Sequence, residues 1–234
     1  MDNNTLQIKI KQRLNKLASQ DYDNISCWEI AEAFNKAQLE FVRKCKNGYN
    51  QRKTGDEGSS MSIDDIQILL TPYSIPMTQD DRYYESTGTL PTNYLYFKSI
   101  QANIVTECCD PRPLKIYLGE MANVEDYLKD ELRKPSIVWG ETFATLSTNK
   151  MRIYTNGEFE IDTPVLTYYR KPNMVAFLGC VDIATGTAIT TAVECEFKDD
   201  VVELIIEDAC AILAGDIESF NQMTRAKQNS INNN

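Results

Sequence analysis

The chain contains no histidine. That absence removes the commonest general base and the commonest metal ligand. No G-x-x-x-x-G-K-[ST] or G-x-G-x-x-G run is present, so a phosphate-cradling loop has no support. There is no G-x-S-x-G, and a cysteine nucleophile would lack its usual histidine partner. No apolar run approaches the length that crosses a bilayer. The first residues, Met1-Asp2-Asn3-Asn4, lack the basic and apolar regions of a secretion signal, so none is expected. Positive charge is scarce as well. Lysine and arginine number 24 against 34 aspartates and glutamates, for a net charge of −10. A surface this acidic is poorly suited to gripping nucleic acid by its phosphates. It serves solubility, and it would suit a wall that DNA must pass without sticking.

The seven cysteines are scattered and form no C-x-x-C pair. Cys108 and Cys109 are adjacent, a spacing that suits neither a zinc knuckle nor an easy disulfide. Cys27, Cys45 and Cys210 fall within helical patterns and read as small buried hydrophobes. Free thiols in a reducing cytosol are the expectation.

What is present is helical pattern at both ends and strand pattern between. Leu6, Ile10, Leu14 and Leu17 trace one stripe of a helix over Thr5 to Ser19. Ser26 and Glu29 form a capping box for a second helix, Ser26 to Lys46. Its apolar face is Cys27, Ile30, Ala31, Phe34, Ala37, Phe41, Val42 and Cys45. Asn47 to Ser60 is a polar loop with three glycines, long enough to read as functional or mobile. A short helix is expected from Ser62, ended by Thr71-Pro72. A last helix begins at Asp200, with Val202, Ile205, Ile206, Ala209, Leu213, Ile217 and Phe220 on its stripe.

Between them, aromatic and β-branched runs predict strands near Arg82–Glu85, Tyr94–Phe97, Ile100–Thr106, Leu114–Leu118, Thr142–Ser147, Met151–Tyr154 and Val165–Tyr169. A capped helix is expected over Asn123–Glu131, and a last hairpin around Gly186 within Ile183–Val193. Asn156-Gly157 is the strongest hairpin signal, because both residues tolerate positive φ. The fold class expected is α+β: a discontinuous helical bundle from both termini with an inserted antiparallel β-rich domain, sandwich- or barrel-like. The expected division is 1–72 plus 199–227 for the helices, 73–198 for the β-rich part, and 228–234 as a flexible tail.

Candidate chemistry is sparse. Of the pairs Asp64-Asp65, Asp80-Asp81 and Asp199-Asp200, two sit at helix starts, where acid favours the dipole, and capping is favoured over a metal site. The tyrosines Tyr83, Tyr84, Tyr94, Tyr96, Tyr168 and Tyr169 could make a sugar or base platform, but cover for a small β core is favoured. No cofactor or metal is expected, and no enzyme activity.

Leu14-Asn15-Lys16-Leu17-Ala18-Ser19, Asp21-Tyr22-Asp23-Asn24-Ile25, Cys27-Trp28-Glu29-Ile30, Glu32 to Gln38 and Thr54-Gly55-Asp56-Glu57 together resemble the N-terminal region of a structural protein of crAss-like bacteriophages. Leu90-Pro91-Thr92-Asn93-Tyr94-Leu95, Met151-Arg152-Ile153-Tyr154 and Val165 to Pro172 are similar to the β module of tail tubular and adaptor proteins of short-tailed phages. Glu196-Phe197-Lys198-Asp199 stands where that family has an acidic-aromatic turn before its final helix. The resemblance implies a virion protein, made in the bacterial host cytoplasm, that forms a dodecameric ring of the head-to-tail connector. Its partners would be other copies of itself, the portal protein above and adjacent tail rings, with DNA as passing cargo and no membrane. Candidate subunit-contact residues are then Trp28, Tyr49, Arg52, Lys53, Asp56, Glu57, Asn156 and Gly157. The alternatives are a ligand- or glycan-binding module of a tail and a histidine-free, metal-dependent hydrolase.

Overall fold

The structure, a computed structural model, describes residues 1–15, 25–47, 65–106, 109–183, 185–216 and 228. It is α+β, with four α-helices and nine strands among those residues. The chain divides into two compact units, Met1–Ile68 with Pro172–Asn234, and Leu69–Lys171. No helix among the described residues is long and apolar enough to cross a membrane.

The first unit holds α1 (Asn3–Asn15), α2 (Cys27–Asn47) and α4 (Asp199–Asp216). Their periodic apolar residues explain why they pack. Leu6, Ile10 and Leu14 of α1, Ile30, Phe34, Ala37, Phe41 and Val42 of α2, and Val202, Ile205, Ile206, Ala209 and Leu213 of α4 are all buried. Glu29 accepts both the Ser26 backbone N–H (2.8 Å) and the Ser26 hydroxyl (2.7 Å), which is the glutamate half of the expected box. Ion pairs border the seam: Lys44–Asp208 at 2.7 Å, Arg13–Glu207 at 3.1 Å, and Lys9 and Arg13 both on Glu203.

Residues 172–198 pack with these helices rather than with the strands, where the sequence pattern had assigned them. The expected last hairpin forms only as isolated bridges, Ala176 with Val193 and Val181 with Ala188. Gly186 turns it with a φ of +68°. Side chains of the helices hold this strap in place of a ladder. Asn35 donates to the Val175 carbonyl (3.1 Å) and accepts from its N–H (2.7 Å), as a neighbouring strand would. Asn3 donates to the carbonyls of Ala176 and Val193 at 3.0 and 3.2 Å.

The second unit is one curled sheet: β1 (Leu70–Ser74), β2 (Met77–Gln79), β3 (Tyr83–Ser86), β4 (Tyr94–Thr106), β5 (Cys109–Leu118), β6 (Glu141–Ser147), β7 (Lys150–Tyr154), β8 (Glu160–Ile161) and β9 (Val165–Arg170). Strands follow in the order β1-β9-β4-β5-β6-β7-β3-β2, with β8 also on β4. The outermost strands, β1 and β2, are joined through Ile75 and Pro76 alone. The sheet must therefore curl until its ends come together. Register shifts along β4, at Tyr94/Tyr96, Phe97/Ser99 and Ile104/Thr106, supply the bending. The concave face carries the core, which includes Ile100, Ala102 and Ile104 of β4, Leu114 and Ile116 of β5, Met151 and Ile153 of β7, and Leu166 and Tyr168 of β9. The period of two is what puts each set on one side.

Several expectations are corrected here. The sheet is mixed rather than antiparallel, because β5 and β6 run parallel. Leu70 and the Thr71-Pro72 pair, expected to end a helix, lie in β1 after a 3₁₀ turn at Gln67–Leu69; of the helix expected from Ser62, Asp65 is helical and residues 62–64 lie outside the described residues. Asn156 and Gly157 do take positive φ, +51° and +72°. They do not close a hairpin, since β7 pairs with β3 and β6 while β8 pairs with β4. The two-residue hairpin is Thr148-Asn149, between β6 and β7, with φ of +48° and +62°.

The far edge of β5 is shaped by proline. Lys115 sends its N–H towards Gly140, just ahead of β6 (2.8 Å). By alternation, residue 113 faces the same way, but β6 pairs only from Lys115 onward. Pro113 stands there with no N–H to offer, and Pro111 precedes it.

Candidate functional site

A parallel pair needs a crossover, and the one between β5 and β6 builds the described cleft. The chain leaves β5 at Leu118 and makes a 3₁₀ turn (Met121–Asn123). It then forms α3 (Val124–Lys129), two tight turns, and enters β6. Asn123, expected to cap α3, makes no side-chain capping bond. The cleft encloses about 380 Å³.

Its floor is aromatic. Tyr127 meets Phe143 edge-on with ring centres 5.2 Å apart, and Phe143 stacks on Tyr154 at 4.7 Å. Gly119 lets Tyr127 approach this closely, since a Cβ there would stand 3.0 Å from the ring. The Arg133 guanidinium lies 5.7 Å from the Tyr127 ring centre on one side of the cleft. On the other side Tyr117 donates to Glu141 (3.1 Å), and Lys115 sits 4.7 Å over the Tyr117 ring. Tyr117, with Glu141 beyond it, holds the Lys115 ammonium above the ordinary lysine value.

The rim is formed by two turns. The first is closed by N–H bonds from Arg133 and Lys134 to the Asp130 carbonyl and from Leu132 to the Asp130 carboxylate. It presents Leu132, which is 91% exposed. The second is closed by reciprocal backbone bonds between Ser136 and Glu141 and by the Trp139 N–H on the Ser136 hydroxyl (3.3 Å). It presents Val138 and Trp139, 76% and 79% exposed, and turns at Gly140 with φ of +62°.

Chemically the cleft has an apolar, aromatic interior, and its charges stand in compensated pairs, Lys134 with Glu131 (3.4 Å), Arg133 with Asp130 (3.6 Å) and Lys115 with Glu141 (3.4 Å). It offers a place to bury an apolar side chain. Among the described residues no group of three or more cysteines or carboxylates is placed to hold a metal ion.

The residues singled out from sequence are dispersed. Trp28 is 41% exposed on the first turn of α2. Asn156 and Gly157 sit on the turn between β7 and β8. Tyr49, Arg52, Lys53, Asp56 and Glu57 lie outside the described residues. Of the tyrosines considered as a platform, Tyr84, Tyr168 and Tyr169 are buried, and Tyr168 donates to Asn93 (2.8 Å). Tyr84 and Tyr168 belong to the core of the sheet, while Tyr169, the next residue along β9, faces the other way.

The cysteine expectation is overturned in part. Cys27 and Cys180 are joined in a disulfide across 153 residues of sequence, tying the start of α2 to the strap. Cys45, Cys195 and Cys210 are free thiols. Burial pushes Cys45 up to about 11 and Cys210 up to about 12, so neither is a ready nucleophile.

Several cleft residues fall in elements the sequence predicts, but none stands among the candidate contact residues. The signal passed over is Ile137-Val138-Trp139, an apolar run that follows Pro135-Ser136 in a segment too short for a strand of its own. Comparison with protein-family models and with curated proteins gave no match to this chain.

Proposed function

We propose that this protein is a structural subunit of a phage head-to-tail connector, assembling as a ring beneath the portal and surrounding the path of the DNA. The observation that carries the reading is the route of the chain. Both ends contribute to one helical unit, while the segment between them folds as a curled, barrel-like sheet. In this reading the arrangement is a helical bundle with an inserted β domain, as the resemblance to short-tailed phage adaptors implies. A subunit that carries two differently built units offers unlike surfaces for head-to-tail contacts, which close into a ring when the rotation permits. The acidic balance of the chain favours a channel wall that repels DNA weakly. The partners are further copies of the chain, the portal and the adjoining tail rings, and the place of action is the virion.

Electron microscopy of the purified protein, alone and mixed with portal, tests this. Closed rings with a central channel, alone or seated on the portal, are expected. Dispersed single subunits in both samples would overturn the reading.

A further inference from the structure

We infer that the cleft under the β5–β6 crossover is a copy-to-copy contact surface, with Trp139 as its anchor and a second molecule of this chain as its occupant. The proposal rests on the ring reading for the nature of the occupant, and on the cleft itself for the place.

The first support is exposure. Leu132, Val138 and Trp139 stand almost bare, and Tyr117 and Leu118 beside them are 46% and 45% exposed. By side-chain size these five leave roughly several hundred Å² of apolar surface, at or beyond what a monomer normally tolerates in one patch. That is on the order of the ~800 Å² one partner contributes to a standard interface.

Charge selects the occupant. Each copy carries −10, so two copies repel across most of their surface. The cleft lining has two acids, Glu131 and Glu141, against two bases, Arg133 and Lys134. It is formally neutral, and its charges are already matched. Two such acidic molecules repel each other least when they approach there. A nucleic acid or an anionic surface would find no surplus positive charge to hold it.

Rigidity completes the case. The turns that carry Leu132 and Trp139 are closed by backbone and side-chain hydrogen bonds, and the floor beneath is a packed aromatic stack. Little ordering remains to be done on contact, which is the condition under which an exposed aromatic becomes a binding hot spot.

The test combines sedimentation of the full chain across a concentration series with site-specific crosslinking. Wild type is expected to self-associate. Trp139→Ser and Leu132→Ser, both on nearly bare side chains, are expected to keep the wild-type melting temperature. Each is expected to weaken association by a factor of about ten or more, the scale of an aromatic or aliphatic anchor. A photo-reactive benzoylphenylalanine at Val138 should crosslink to a second copy. A crosslink to a different face of that copy supports both this surface and the ring. A crosslink back to the same cleft supports the surface but implies a closed pair, which counts against the ring. Association unchanged in Trp139→Ser, or a wild type that stays monomeric throughout, overturns the proposal. The microscopy on portal then judges the ring reading by itself.

Discussion

The two units are held together by different physics. The sheet unit is one continuous stretch of chain, Leu69–Lys171, and its strands are stitched by regular ladders over a core on the concave face. The helical unit is assembled from segments far apart in sequence. It relies on side chains to do what a ladder would do: an asparagine that mimics a strand, a disulfide between distant segments, and ion pairs along α4. A contiguous unit closes short loops as it folds, whereas a split unit must bring its distant pieces together against chain entropy. Individual side chains should therefore matter more in the helical unit.

The two tryptophans allow that contrast to be measured, since Trp28 reports the helical unit and Trp139 the sheet. The largest effect is expected from the disulfide. Replacing Cys27 and Cys180 by serine releases a loop of 153 residues and is expected to cost about 2–5 kcal/mol. In urea unfolding of single-tryptophan variants, the Trp28 transition should move to lower denaturant and the Trp139 transition much less. Equal movement of both would show that the units do not differ in this way.

Next comes Asn35. Its amide satisfies both backbone groups of Val175 and accepts from Gln38 (2.9 Å), which is fully buried. Asn35→Ala leaves those groups without their partner and is expected to cost about 1–3 kcal/mol. Hydrogen exchange should speed up at Val175 and Ala176 before it changes in β4 or β9. Uniform acceleration would mean that the strap is not locally tied.

The smallest effect concerns acid. Burial would raise the Glu203 carboxyl, but the Lys9 ammonium and the Arg13 guanidinium outweigh it and hold the group below its ordinary 4.5. Its contribution is thus complete above 4.5 and is lost as the pH falls through the lower, folded value. The carboxylate is about a third exposed, so solvent screening keeps the effect below about 1 kcal/mol. Glu203→Gln should flatten the acid limb of a melting-temperature profile in that window and lower the neutral plateau slightly. A profile with the wild-type slope would remove the pairing from the account.

Periodicity made much of this fold legible. The stripes Leu6-Ile10-Leu14 and Val202-Ile205-Ile206-Ala209 are buried as their spacing demands, and most strands lie where aromatic and β-branched runs stand. Pairing was not legible, because it is a long-range property. Asn156-Gly157 took its turn conformation from local preference, yet which strands flank it in the sheet depends on β3 and β4, tens of residues upstream. Cys27 and Cys180 carry no mark of one another in sequence. The parallel β5–β6 pair was hidden for the same reason, and with it the crossover that forms the cleft.

Pro113 has one further consequence. An open strand edge can recruit another strand without limit, which is the route to fibres. On the part of β5 that outruns β6, the proline denies a newcomer the N–H it would need. Growth by backbone is blocked there, so the assembly proposed above would have to grow through side chains at the crossover. Assemblies made that way stop when their geometry closes, and each member can leave without unzipping its own sheet.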